Sequence, residues 1–340
     1  MIQISEERRN SFVGRAYRLT WIVLSVTIFG LISSRILGDS QDWLNYESFF
    51  ESLRDEGLSL ISSNRFEPGF TILSYLFVSV FPSNLSVFAG IAAIAFFMKC
   101  WVLNQFSINR AVFFLLAIFY LIRFAPLHEF TQLRVAFSIS LILVAFVLVV
   151  KKNITGSLIA CAAGLAFHLS AAVAIPFVVI IYFDDRLRLF TLKKMLFISA
   201  TVFLTTLLTI KFSINYLQDN LAVIAMYQEA GFGDEAPNLL SPALLLDWGM
   251  IFIALFMWNK LPLIMRYVIF VEIVGMAIFY ASIDFQVIAF RIREFFAVFW
   301  VFFIAQGLEQ KYFIRDIIIC FLVVNMVLYS YYFFFNDFFS

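Results

Sequence analysis

The sequence predicts an all-α integral membrane protein, a polytopic helical bundle. Three observations carry that expectation. The 340 residues are 63% hydrophobic and only 14% charged, with a mean hydropathy of +0.93; a soluble chain is about 45–50% apolar and about 25% charged. The apolar residues fall in long continuous runs, such as 137–150 and 317–335, not in the short alternating segments of a transmembrane barrel. Short basic stretches separate the runs, as expected of cytoplasmic loops between spans. Helices and closed barrels alone satisfy backbone polar groups in lipid. The composition argues against a soluble enzyme, a nucleic-acid binder, a disordered tail, a collagen and a disulfide scaffold. The net charge of +1 names no partner.

A span needs about 20 largely apolar residues. Candidate spans lie near 19–37, 84–103, 110–126, 131–150, 190–211, 243–259, 262–281, 294–309 and 313–335. The first run lacks a small-x-small exit and ends in Ser33-Ser34-Arg35, so it is expected to be a retained span. The N-terminal Arg8, Arg9, Arg15 and Arg18 are expected in the cytoplasm. So are Lys151-Lys152 and the stretches Arg186 to Lys194, Lys260 to Arg266 and Lys311 to Arg315. If all of these share one side, 67–82 is too short to cross and becomes a re-entrant helix. The 154–183 run becomes a hairpin of two short helices turning near His168. The sum is about eleven crossings plus one re-entrant helix in a single transmembrane domain over 1–340. Larger external loops fall at about 38–66 and 212–241, the second carrying Asp219, Glu229, Asp234 and Glu235. Cys100, Cys161 and Cys320 lie inside apolar runs without metal-ligand spacing and read as small buried hydrophobes.

This parity gathers a second set of charges on the external side: Asp42, Glu47, Arg65, Glu67, Arg123, His128, Glu129, Arg134, His168, Asp284, Arg291, Arg293 and Glu294. A charge at membrane depth usually faces a protein cavity and marks function. Arg134 lies just inside an apolar helix and reads either as a snorkelling arginine or as a phosphate ligand, because guanidinium is permanently charged and planar. Arg291 and Arg293 have the same two readings, and at i and i+2 they point about 200° apart on a helix. His168 is a hydrogen-bonded structural histidine, a general base or a diphosphate contact. His128 reads as an exposed loop residue beside Glu129. Glu67 precedes Pro68-Gly69 and is either a helix cap or a carboxylate that deprotonates or orients a sugar hydroxyl. Asp42 and Tyr46 share a face if 41–53 is helical. There is no His-Cys cluster, DxD, P-loop or GxSxG, so no metal site stands out.

The order of these motifs resembles a known family. Asp42-x-x-x-Tyr46 is followed by Glu67-Pro68-Gly69-Phe70, then Leu133-Arg134-x-Ala136-Phe137-Ser138 and a Lys-Lys loop. Phe167-His168-x-Ser170-Ala171 precedes Pro176, and Arg291-Ile292-x-x-Phe295-Phe296 comes last. The pattern is similar to the EpsG-like polysaccharide polymerases, relatives of the Wzy-type O-antigen polymerases. It departs at Val135, where a polar residue is commoner, and at Arg293-Glu294. The resemblance implies a GT-C-like, metal-independent glycosyltransferase of the bacterial inner membrane with its active site facing the periplasm. Its substrates would be undecaprenyl-diphosphate-linked oligosaccharides, as donor and as acceptor. Membrane lipids and a chain-length regulator are the further partners implied; a nucleic acid and a cofactor are not. On this reading Glu67, His168 and Asp42 are candidate catalytic groups. Arg134, Arg291, Arg65, Arg123 and Arg293 are candidate diphosphate ligands, and Trp43, Tyr46 and Glu129 candidate sugar contacts. Two rivals stay open: an O-antigen ligase-type transferase, and a transporter or flippase of lipid-linked oligosaccharide.

Overall fold

A computed structural model describes residues 23, 42–62, 66–187, 190–220, 241–283, 286–310 and 312–335. Among these there are helices and turns and no strand. In chain order the helices are α1 (Trp43–Glu56), α2 (Pro68–Val80), α3 (Asn84–Phe106), α4 (Arg110–Arg123), the one-turn α5 (Ala125–His128), α6 (Leu133–Val150) and α7 (Ile154–Phe167). They continue as α8 (Ala174–Leu187), α9 (Leu192–Asn220), α10 (Pro242–Phe256), α11 (Leu263–Ala281), α12 (Gln286–Ala297), α13 (Trp300–Leu308) and α14 (Tyr312–Phe335). Short 3-10 turns follow α1, α7 and α10.

Five of the described helices hold a stretch long and apolar enough to cross a membrane: Asn84–Phe106, Leu133–Val150, Leu192–Thr209, Leu263–Ala281 and Phe313–Tyr332. Shorter apolar helices include Pro68–Val80, Ile154–Phe167 and Pro242–Phe256. This is the polytopic helical membrane protein that composition and run length predict. The expected span at 19–37 and most of the expected 212–241 loop lie outside the described residues.

The chain divides into two compact units, 1–182 with 329–340, and 183–328. Each is built on one buried helix. α6 and α11 each bury 72% of their apolar window, whereas the apolar stretches of α9 and α14 bury 11% and 22%. A helix apolar all round is either a core helix or a lipid-facing one, and burial sorts these four.

In the first unit α6 packs chiefly on α7 and α3. The α6–α7 turn is three residues long because two local devices close it. Lys152 takes a positive φ of 63°, and the Asn153 side chain accepts from the Gly156 N–H at 2.9 Å, starting α7. Such an N-cap contributes about 1 kcal/mol. Serines then tie the helix faces together: Ser138 Oγ donates to Gly164 O at 3.1 Å, Ser157 Oγ to Ala145 O at 2.7 Å, and Ser140 Oγ to Ala95 O at 3.0 Å. Small and hydroxyl residues let helices approach where no hydrophobic drive separates protein from lipid. α7 ends at Phe167 and α8 begins at Ala174, so the 154–183 run holds two short helices, as its length predicts.

Two expectations change. The run at 294–309 is not one helix: α12 stops at Ala297 and α13 begins at Trp300. Phe299, Val301 and Phe302 donate to carbonyls three residues back, a tightening that turns the chain where Phe296 packs on Gly275 of α11. Cys100 and Cys161 are buried, but Cys320 is exposed. Lying inside an apolar run does not separate a protein-facing from a lipid-facing position, and α14 is mostly of the second kind.

Candidate functional site

In the first unit, α1, the start of α2 and the start of α6 come together on an aromatic base. Tyr46, Phe49, Phe50, Phe66 and Phe70 are buried. Tyr46 stacks on Phe66 with centroids 6.0 Å apart and meets Phe70 edge-on at 5.8 Å; such pairs are each worth about 0.5–1.5 kcal/mol beyond area burial. The Arg134 guanidinium lies over Phe66, 4.6 Å from its centroid, where the ring's negative face attracts it.

Arg134 Nη1 donates to Glu67 Oε2 at 2.8 Å. Glu67 reaches it because its side chain makes no bond to its own helix, although it occupies the N-cap position before Pro68. The pair is mostly covered but keeps an opening, with side-chain exposures of 23% for Arg134 and 20% for Glu67. Arg134 Nε is buried without a hydrogen-bond partner. The Arg134 backbone N–H, one of the orphan donors of α6, points at the Tyr46 hydroxyl at 3.4 Å. Burial pushes the Tyr46 phenol above its ordinary value, with the Arg134 charge opposing, so it stays protonated. Its ring is packed among aromatics, and its hydroxyl is turned to Arg134.

Gly69 brings a second motif to the same corner. A Cβ there would lie 2.6 Å from the Ala166 carbonyl oxygen, so α2 and the end of α7 touch backbone to backbone, two residues from Glu67 and two from His168. Phe137 stacks on Phe167 at 4.3 Å, closing α6 onto the same end. His168 is half-buried, and its Nδ1 accepts from the Ser170 N–H at 3.2 Å. That bond occupies the Nδ1 lone pair, so the neutral imidazole carries its proton on Nε2. Asp42 precedes α1 without a side-chain cap, its carbonyl accepting from Tyr46 N–H at 3.2 Å. Trp43 meets Phe88 edge-on at 5.6 Å. Arg65 lies outside the described residues.

His128 and Glu129 are buried rather than exposed. Phe124 and Pro126 start the one-turn α5, which folds 125–132 back onto α4. His128 then stacks on Phe124, with centroids 6.0 Å apart and planes 8° from parallel. Burial and the Lys99 charge hold its imidazole well below the usual range, so it is neutral. Glu129 Oε1 takes the Lys99 ammonium at 2.5 Å, and the Tyr120 hydroxyl donates to Oε2 at 2.9 Å. Arg123 is buried against Phe119, Phe124 and Tyr329, the ring of Tyr329 being 5.0 Å away.

In the second unit, Arg293 is buried between two carboxylates, Asp247 Oδ2 at 2.5 Å and Glu294 Oε1 at 3.0 Å. Arg291, about 200° round the same helix, is half-buried. Sequence reasoning missed Lys99, Tyr120 and Asp247. Lys99 and Asp247 were visible as single charges inside apolar runs, which by default deserve a functional or pairing role. Among the described residues no group of three or more His, Cys, Asp or Glu side chains is placed to hold a metal ion.

Apolar spans, with charged side chains held at helix ends and inside the bundle, define a polytopic membrane protein with a built polar site. The chain belongs to the EpsG family, whose family model matches residues 18–340. No curated protein and no solved structure gives a significant match. Family membership supports a membrane glycosyl-transfer or polymerase-like role.

Proposed function

We propose that the chain is a polysaccharide polymerase of the Wzy type, acting at the periplasmic face of the bacterial inner membrane. It moves a growing O-antigen-like glycan from undecaprenyl diphosphate onto the terminal sugar hydroxyl of a lipid-linked repeat unit. Beyond the family, one observation carries this reading: the partly open Arg134–Glu67 pair at the start of α6. A permanent cation and the positive end of an 18-residue helix act there together, and both favour a phosphate.

The chemistry follows from the same pair. The donor diphosphate takes the Arg134 guanidinium, and Glu67 is released. Glu67 accepts the proton of the acceptor hydroxyl as its oxygen attacks the anomeric carbon. The bond from that carbon to the diphosphate oxygen breaks, and the lipid diphosphate leaves with the electron pair. Arg134 meets the developing charge, so the scheme draws its countercharge from the protein and uses no metal. A single displacement inverts the anomeric centre. His168, with Nδ1 occupied, is suited to donate Nε2–H to a phosphate oxygen, which leaves Glu67 the better placed base.

The test is purified protein in liposomes with lipid-linked repeat units and a chelator. A ladder of longer glycans is expected. No lengthening with a suitable substrate overturns the reading; transfer onto a different acceptor points to a ligase, and passage without bond formation to a flippase.

A further inference from the structure

The Lys99–Glu129 pair is buried in the first unit, with side-chain exposures of 1% and 0%. A buried ion pair is weak evidence for stability, because desolvating two charges offsets most of their attraction, and apolar replacements of similar volume often do as well. What such a pair supplies is direction. Lys99 has three donors. One is spent on Glu129 Oε1 and a second on the Ala136 carbonyl at 2.8 Å. Glu129 in turn receives the Tyr120 hydroxyl at 2.9 and 3.1 Å.

The network therefore joins α3, α4, the loop before α6 and the first turn of α6. Ala136 is two residues beyond Arg134, about 3 Å along the helix axis. Its carbonyl shares the single Ser140 hydroxyl proton with the Ala95 carbonyl, at 2.9 and 3.0 Å, so the Lys99 ammonium is its undivided side-chain donor. The loop is braced as well: Gln132 N–H donates to Leu127 O at 3.0 Å, and Thr131 Oγ1 bonds the same carbonyl.

We propose that Lys99 and Glu129 are positioning residues: by gripping the Ala136 carbonyl they set the height and rotation of the first turn of α6, and with it the aim of Arg134. The proposal deepens the polymerase reading and rests on it for its meaning in catalysis. The coupling itself is a property of the protein alone.

The experiment therefore reads position 134 without activity. With Cys320, the exposed cysteine among the described residues, changed to Ser, Arg134→Cys is labelled with a maleimide in the otherwise native protein and in a Lys99→Met/Glu129→Gln background. The double change removes both charges together and leaves no buried ion unpaired. A labelling rate altered at least threefold is expected, with Tyr120→Phe, which keeps both charges, shifting it the same way by a smaller factor. Equal rates in all three proteins overturn the proposal. If the double variant does not fold, the Tyr120→Phe rate decides alone. In the polymerisation assay, the double variant should raise KM for the lipid-linked substrate at least tenfold with an unchanged melting temperature. An Arg134→Ala protein should show no further loss when Lys99 and Glu129 are changed. An altered labelling rate beside a fully active Arg134→Ala protein would sink the diphosphate role of Arg134 and leave the positioning role standing.

Discussion

Gly69 and Ala166 meet backbone to backbone: a Cβ on Gly69 would lie 2.6 Å from the Ala166 carbonyl oxygen and 2.9 Å from its carbon. This contact brings the Glu67 end of α2 to the His168 end of α7. Backbone cannot swing aside as a flexible side chain can, so Gly69→Ala should cost about 1–3 kcal/mol. Gly249, with nothing within 4 Å, is the control; Gly249→Ala should be neutral or stabilising by about 0.5–1 kcal/mol, since alanine is the better helix former. Thermal unfolding in detergent compares the two.

Arg134→Ala should lower polymerisation by about 10²–10³-fold, the cost of removing one preorganised charge-stabilising group, and Glu67→Gln by about 10²–10⁴-fold, the contribution of a general base. Each change leaves a mostly covered charge without its partner, so a stability loss between the exposed-pair and buried-pair values, about 1–3 kcal/mol, is expected, and activity is compared at equal folded fraction. Near-normal glycan ladders from both variants would remove the pair from the mechanism.

The two nitrogens of His168 can be separated by amide substitution. The asparagine oxygen in His168→Asn can replace Nδ1 and keep the Ser170 N–H satisfied. The longer amide in His168→Gln reaches toward the place of Nε2. If the Nε2–H contacts phosphate, His168→Gln should retain more activity than His168→Asn. The reverse order would make His168 a cap of the following turn and nothing else.

In the second unit, Arg293 answers two carboxylates at once. Arg293→Ala removes the guanidinium paired with the buried Asp247 and should destabilise by about 3–5 kcal/mol. Arg293→Met combined with Asp247→Leu should recover most of that loss. Arg291→Ala, at a half-buried position, should change stability little; its effect on glycan length tests the expectation that Arg291 is a diphosphate ligand.

Stability should also depend on pH through His128. Its folded-state imidazole is held well below the ordinary value of 6.5 by burial first and by Lys99 second. The unfolded chain therefore binds the proton first. The contribution is complete above about pH 6.5 and is lost as pH falls below that value. His128→Phe should flatten the acid side of a plot of melting temperature against pH.

Much of the class was legible in the sequence because apolar run length is a local property. So was the break at His168, since 30 residues are too many for one span and too few for two full ones. The partnerships were not legible, because they depend on packing across long stretches. Arg134 meets Glu67 across 67 positions, and Lys99 meets Glu129 across 30. Both members of the first pair stood out as motif residues, yet their helices converge through a third, α7, which meets α2 at Gly69–Ala166 and packs on α6. His128 and Glu129 misled because a loop with two polar residues reads as solvated. The Phe124–Pro126 turn instead tucks them beneath α4, where Lys99 supplies the missing charge. The stop at Ala297 left no proline or glycine to announce it.

The shortness of α2 and α7 has a consequence for the surrounding lipid. Helices of 13 and 14 residues rise only about 20 Å at 1.5 Å per residue, against a hydrocarbon layer of about 30 Å. A helix that short either ends inside the layer, as a re-entrant helix does, or draws the leaflet thinner beside it. On the proposed function, either arrangement would bring the polar head of a lipid-borne sugar down toward Glu67 and Arg134, and the membrane would become part of the binding site.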